Sequence, residues 1–255
     1  MNPPADKTTS HSTHNTQNTA RTAVGVLFSG GKDSFLALHR AVEFHTVSCL
    51  ITVIPENRDS YMFHTPAVEH TRAQAEALGL PHVVVRTRGE KEKELLDLKR
   101  AIEIAIDRYG IRGVVSGAID SIYQATRIQR ICHELGVFSY NPLWQMEQAE
   151  VLREVVRLGI KPMIVGVFGY PLTPDFLGRV IDEEIVKKLV YLQEKMGFNP
   201  AGEGGELETF VVYDPMFRKK LVAREKGRVV EGSSGYLLLE VRVERGEKEG
   251  GGGRV

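Results

Sequence analysis

The stretch Val24-Gly-Val-Leu-Phe-Ser-Gly-Gly-Lys-Asp-Ser34 runs from apolar residues into two glycines flanked by Ser29, Lys32, Asp33 and Ser34, and Phe35-Leu-Ala-Leu-His-Arg40 then resumes at helical spacing. The expectation is a strand, a short glycine turn and a helix. Such a turn suits an anion. Gly30 and Gly31 let the backbone approach closely, successive N–H groups converge, and the helix dipole adds partial positive charge. Lys32 adds a full charge and is expected to face solvent at that site. Asp33 and Ser34 either cap the helix or help to hold magnesium at bound phosphates. The common phosphate loop is excluded, because four residues must separate its first glycine from Gly-Lys. The plain alternative is a glycine turn with a serine cap.

Outward from this stretch, β-rich runs at Val24-Phe28, Val47-Ile54, His82-Arg86, Gly113-Ser116 and Pro162-Phe168 alternate with helix-period segments. This alternation predicts an α/β fold, a parallel sheet with helices on both faces. Gly79, Gly110, Gly136 and Gly159 each stand where a left-handed residue ends a helix before an apolar restart. The segment Glu90-Tyr109 places Leu95, Leu98, Ile102, Ile106 and Tyr109 on one stripe, opposite a solvated charged face. Thr65-Pro66 reads as a helix start, which puts Tyr61-His64 in the loop before it. After Asn141-Pro142 the pattern changes. Helices through Val151-Leu158 and Val180-Met196 and late runs at Phe210-Tyr213, Lys220-Ala223 and Tyr236-Val243 predict a smaller α+β unit with antiparallel strands.

The expected organisation is therefore a disordered extension over 1-20, a nucleotide-binding domain over 21-140, a substrate domain over 141-246 and a disordered tail over 247-255. The extension is rich in Thr, Asn, His and Ser without an apolar core, unlike a signal peptide. Lys plus Arg and Asp plus Glu both total 33 in 255 residues, so no overall field favours nucleic acid or a membrane surface. No apolar stretch approaches the ~18 residues of a membrane span. Cys49 and Cys132 form no Cys-x-x-Cys pair, which argues against a zinc knuckle, a cluster or a disulfide framework and for a cytoplasmic chain with cysteines as core fillers.

Two further stretches carry chemistry. Val115-Ser-Gly-Ala-Ile-Asp-Ser-Ile-Tyr-Gln-Ala-Thr-Arg127 follows a short strand and opens a helix, so its loop should face the same crevice at the carboxyl edge of the sheet. Gly117 would permit close approach to a nucleotide, with Tyr123, Gln124 and Arg127 along the wall; the plain reading is a serine N-cap. Asn199-Pro-Ala-Gly-Glu-Gly-Gly-Glu-Leu-Glu-Thr-Phe-Val211 crowds Glu203, Glu206 and Glu208 into a glycine-rich turn. Carboxylates there can bind a cation, coordinate a metal or act as a base, or simply solvate a hairpin. His64 either lines a site or hydrogen-bonds a neighbour. Trp144 reads as interface packing or a stacking face.

The Ser29-Ser34 string resembles the pyrophosphate loop of the N-type ATP pyrophosphatases. Taken with Asp59-Ser-Tyr-Met-Phe-His-Thr65, Val115-Ile119 with Tyr123-Gln124, Asn141-Pro-Leu-Trp144 and Gly202-Phe210, it resembles the diphthine-ammonia ligase family from about residue 22 to 220. Ile122 departs from the acidic residue common in relatives, and the chain beyond Lys220 carries no motif. The resemblance implies an adenine-nucleotide α-hydrolase-like sheet and an ATP-dependent ligase. Its substrate is diphthine, a modified histidine on elongation factor 2, amidated with ammonium through an acyl adenylate, with AMP and pyrophosphate released. It implies ATP contacts at Ser29, Gly30, Gly31, Lys32, Asp33, Ser34 and Gly117, magnesium at Asp33, and catalysis by Lys32 and by Glu206 as proton acceptor. His64, Tyr123, Gln124, Arg127, Trp144, Glu203 and Glu208 would meet the substrate. Its trimethylammonium group suits aromatic faces backed by carboxylates, namely Trp144, Tyr170 and the Glu203-Glu208 turn. Oligomeric state stays open, a homodimer included. The rivals are a tRNA-modifying enzyme of the same superfamily, disfavoured by the neutral charge and absent cysteine pairs, and a non-catalytic ATP-binding module.

Overall fold

A computed structural model describes residues 21–56, 67–88 and 92–244. The extension over 1-20, the tail from 247 onward, Asp59-Thr65, Pro66 and hence His64 lie outside the described residues.

Five strands form one all-parallel sheet: β1 (Ala23–Leu27), β2 (Thr46–Pro55), β3 (His82–Thr87), β4 (Gly113–Val115) and β5 (Phe138–Tyr140), in the order β3-β2-β1-β4-β5. The crossovers carry α1 (Lys32–Phe44), α2 (Thr71–Leu78), α3 (Glu94–Tyr109) and α4 (Ile122–Glu134). Val26 lies between Leu50 and Val115, and all three are buried. Near-continuous apolar strands of this kind are what a sheet covered on both faces requires. One face packs α1, with Phe35, Leu36 and Leu38, into a core completed by Val151, Val155, Ala201 and Val211 from the later half of the chain. The opposite face packs Cys49, Ile51 and Val53 against Leu98, Ile102, Ile128 and Cys132 of α3 and α4. Gly79 and Gly110 end α2 and α3 in the left-handed conformation, as their spacing predicts.

The second sheet is antiparallel, in the order β7-β6-β9-β8, built from β6 (Lys161–Val167), β7 (Leu207–Tyr213), β8 (Leu221–Glu231) and β9 (Ser234–Val243). Helices α5 (Gln148–Arg157) and α6 (Glu183–Met196) accompany it. Here the structure corrects the sequence. Pro162-Phe168, expected in the parallel sheet, pairs with β7 and β9 instead. A short buried apolar run looks the same in either kind of sheet, and the slot beside β4 is taken by the three residues of β5, too few to register as a run. Helix α6 begins at Glu183 and not at Val180, because Asp182 accepts the Ile185 N–H as N-cap while Val180 bridges to Met163. The regular helix after residue 67 starts at Thr71 behind one 3-10 turn, later than the proline signal puts it.

Strand order creates the site. The chain leaves β1 toward β2 and β3, then crosses to β4 on the other side of β1, so the loops after β1 and β4 diverge from neighbouring carboxyl ends. That topological switch point is where open parallel sheets bind ligands.

Candidate active site

A cleft of about 510 Å³ opens at this point. It is lined by Ser29 and Gly31–Ser34 after β1, by Ser116–Ala118, Ser121, Tyr123 and Gln124 after β4, and by Gly202–Gly205 and Leu207–Thr209. The three sequence stretches thus meet in one place, although the last belongs to the second sheet.

The loop after β1 is held tightly. Gly31 is the N-cap residue of α1 with no side-chain cap, so neither Asp33 nor Ser34 caps the helix; Ser34 Oγ donates back to Gly31 O at 2.9 Å. Lys32 N donates to Thr209 Oγ1 at 3.0 Å. The Lys32 ammonium donates to the carbonyl of Ala201 and to Asp33 Oδ2. Lys32 is only 2% exposed, which corrects the expectation of a solvent-facing lysine. The cause is the second sheet: its turn closes over the loop through Ala201 and Thr209. Asp33 Oδ1 is buried without a partner among the described residues.

Gly31 and Gly117 both answer to protein packing. A Cβ on Gly31 would stand 3.1 Å from Thr209 O, and one on Gly117 would stand 2.8 Å from the Asp33 carbonyl. Gly117 therefore lets the β4 loop close on the α1 terminus, the primary reason for glycine there. Ser116 Oγ donates to Asn141 Oδ1 at 2.9 Å, which gives Asn141-Pro142 a role in shaping that loop.

The three glutamates separate. Glu203 Oε1 accepts the N–H groups of Asp120 at 3.0 Å and Ser121 at 2.9 Å, tying the acidic turn to the start of α4. Burial raises its pKa against the pull of those amides. Glu208 lines the cleft, and burial pushes it up to about 8, opposed by Lys32 and reinforced by Asp33. Glu206, expected as the proton acceptor, is not among the cleft residues; its carboxylate folds back against Gly204 and its Oε2 is buried without a partner among the described residues. It lies in the turn ahead of β7, where side-chain direction does not follow strand alternation.

Other expected contacts also part company. Tyr123 and Gln124 line the cleft, whereas Arg127 does not. Its guanidinium lies 3.4 Å from the Tyr123 ring centroid and pairs with Glu92 at 2.6 Å, so it braces the wall from behind. Trp144 and Tyr170, 36% and 77% exposed, are absent from the cleft, so the expected aromatic cage is not formed by them. Thr209 lines the cleft and Gln74, behind it, donates to Gly30 O at 3.0 Å, and neither is singled out by the sequence. Thr209 lies inside the acidic stretch but carries no charge, and Gln74 sits mid-helix with no motif around it.

No helix among the described residues is long and apolar enough to cross a membrane, and no three His, Cys, Asp or Glu side chains among them cluster as a metal site. A magnesium ion at phosphates needs fewer, since it takes one or two carboxylates and completes its shell with phosphate and water oxygens. The unpartnered Asp33 Oδ1 fits that demand.

Residues 21–139 match the family model of the diphthamide synthase N-terminal domain, and residues 147–245 that of the diphthamide synthase C-terminal domain. The proteins named diphthine-ammonia ligase in Schizosaccharomyces pombe, Rattus norvegicus and Homo sapiens are 34%, 31% and 30% identical over 85%, 84% and 87% of the chain. The chain spans 39% of the fission-yeast protein but 87% and 92% of the rat and human ones.

Proposed function

The chain belongs to the diphthamide synthase family, and from that footing we propose that it is an ATP-dependent ligase that amidates diphthine on elongation factor 2 with ammonium. The observation that carries this is the convergence of an N–H-rich loop at the parallel-sheet switch point with a cleft-facing carboxylate, Glu208, from the second sheet. The first is what a departing diphosphate needs, the second what ammonium needs before it can attack. Residues 21-140 supply the nucleotide unit and 141-246 the substrate unit, in the cytoplasm.

The diphthine carboxylate attacks the α-phosphorus of ATP, pyrophosphate leaves, and ammonia displaces AMP from the acyl adenylate. In this chain the loop amides other than that of Lys32, which donates to Thr209, and the Lys32 ammonium stabilise the diphosphate as its charge grows. Preorganised donors of this kind contribute roughly 2–4 kcal/mol each at a transition state. Asp33 Oδ1 would hold magnesium, which supplies charge neutralisation on the phosphates when bound. Glu208 takes the proton from ammonium, and its pKa near 8 places it close to the working pH, where acid-base exchange is most effective. Glu203 holds the acidic turn against α4, so that Glu208 meets the loop at fixed spacing.

The test is a single turnover with unamidated elongation factor 2, labelled ATP and ammonium. AMP and pyrophosphate should form one-to-one with amide. ADP with inorganic phosphate, or nucleotide binding without AMP under any substrate, would overturn the assignment.

A further inference from the structure

Gly30 and Gly31 are adjacent but face opposite ways. Gly31 lines the cleft and Gly30 does not. The Gly30 carbonyl accepts two hydrogen bonds from outside the cleft, from Val211 N at 2.9 Å and from Gln74 Nε2 at 3.0 Å. Within one trans peptide the carbonyl and the following N–H point in opposite directions. Anchoring the Gly30 carbonyl outward therefore turns the Gly31 N–H toward the cleft. Among the described residues it meets only Ser29 Oγ there, at a long 3.4 Å.

Gln74 is fully buried, and its Nε2 also donates to Val211 O at 2.8 Å. With two carbonyls on one NH₂ group, the amide can be oriented in only one sense. Its Oε1 is left without a partner among the described residues, and it fills the place where a Cβ on Gly30 would stand. An unpaired buried acceptor is costly, and a leucine or methionine would fill the same space without one. What Gln74 provides that they lack is the pair of donors. These reference the loop to β7, the strand that also bears Glu208 and the Thr209 hydroxyl on Lys32 N.

We propose that Gln74 is a positioning residue for the diphosphate, locking the Gly30–Gly31 peptide so that the Gly31 N–H is presented to a phosphate oxygen. It rests on Ser29-Ser34 being the diphosphate site. Gln74→Met keeps the length and removes both donors; Gln74→Glu keeps the shape and replaces them with acceptors. Titration calorimetry with inorganic pyrophosphate should show about tenfold weaker binding for the methionine variant and a larger loss for the glutamate, in protein that still melts cooperatively. A folded methionine variant that binds pyrophosphate as the wild type does, with only its melting temperature lowered, would reduce Gln74 to a structural residue and overturn the proposal. Wild-type protein is tested independently by amide NMR. Pyrophosphate should shift the Gly31 N–H resonance more than that of Gly30, and no shift at Gly31 overturns the proposal even if neither variant folds. Wild type that binds no pyrophosphate removes the site itself, a different failure from an indifferent Gln74.

Discussion

Across one cleft, the Ser29-Ser34 loop and the 202-208 turn do opposite things with similar composition. Both are glycine-rich and charged, yet the loop presents backbone N–H groups and a buried cation, while the turn presents carboxylates. The loop's donors are fixed by the path of the chain, through Val211, Gln74 and Thr209. The turn's acceptors depend on where each side chain points, and of three glutamates two line the cleft and one does not. The binding groups of the loop are thus set by the local chain and aimed by side chains behind it, whereas in the turn the side chains are themselves the binding groups.

The largest expected effect lies where the two regions touch. Lys32→Ala should lower the rate of AMP formation by about 10²–10³, the loss of one preorganised donor. Because Lys32 is 2% exposed and satisfies Ala201 O and Asp33, the same change should also lower the melting temperature. Parallel rate and melting measurements check both. A variant with unchanged melting and unchanged turnover would show that the ammonium is idle.

Next comes the division within the turn. Glu208→Gln should reduce amide formation on the order of a hundredfold, the low end for a lost general base, and abolish a rate increase centred near pH 8. Glu206→Gln should stay within a few-fold of wild type, since its carboxylate does not line the cleft. The reverse ranking in pH-rate profiles would return the proton acceptor to Glu206.

How far the sequence reveals each region follows from this division. Six contiguous residues announce the loop, because strand, glycines and helix start are local, and the switch point follows from alternation. Glu206 and Glu208 are indistinguishable in sequence; only the turn before β7 sends them apart. Gln74 and Thr209 act across 44 and 177 residues of chain, separations that no motif spans. Burial of Lys32 likewise depends on a second sheet whose first strand, β6, reads as parallel until its partners are known.

A smaller effect compares titrations on the two sheets. His82 of β3 is held down to about 4 by burial and by Arg72, so its neutral form is favoured in the fold. Its contribution to stability is complete above 6.5 and is lost as pH falls from 6.5 through 4. Glu208 is raised from 4.5 to about 8, so its contribution is complete below 4.5 and is lost as pH rises through 8. Each group changes the unfolding free energy by at most about 1.4 kcal/mol per pH unit within its window. Denaturation at several pH values should show Glu208→Gln gaining on wild type from pH 4.5 to 8, and His82→Gln gaining as pH falls from 6.5 to 4. Parallel curves for variant and wild type would mean that neither group is desolvated as the structure has it.

The smallest expected effect lies at the thiols on the α3–α4 face of the parallel sheet, which do not line the cleft. Cys49 and Cys132 are 0% and 1% exposed, and burial pushes them up to about 12 and about 11. The thiolate is the reactive form, and a pKa near 11 leaves about one thiol in ten thousand ionised at neutral pH. Native protein should therefore be inert to a coloured disulfide reagent that titrates both cysteines once it is unfolded. Cys49→Ala and Cys132→Ala should leave amide formation within about twofold, while lowering stability through the cavities they open in a core shared with Ile51, Leu98 and Ile128. A thiol that reacts in the native state at a rate matching turnover would contradict this most directly. It would mean that the α3–α4 face opens during the reaction and that thiols outside the cleft take part in a chemistry for which the proposed amidation has no need.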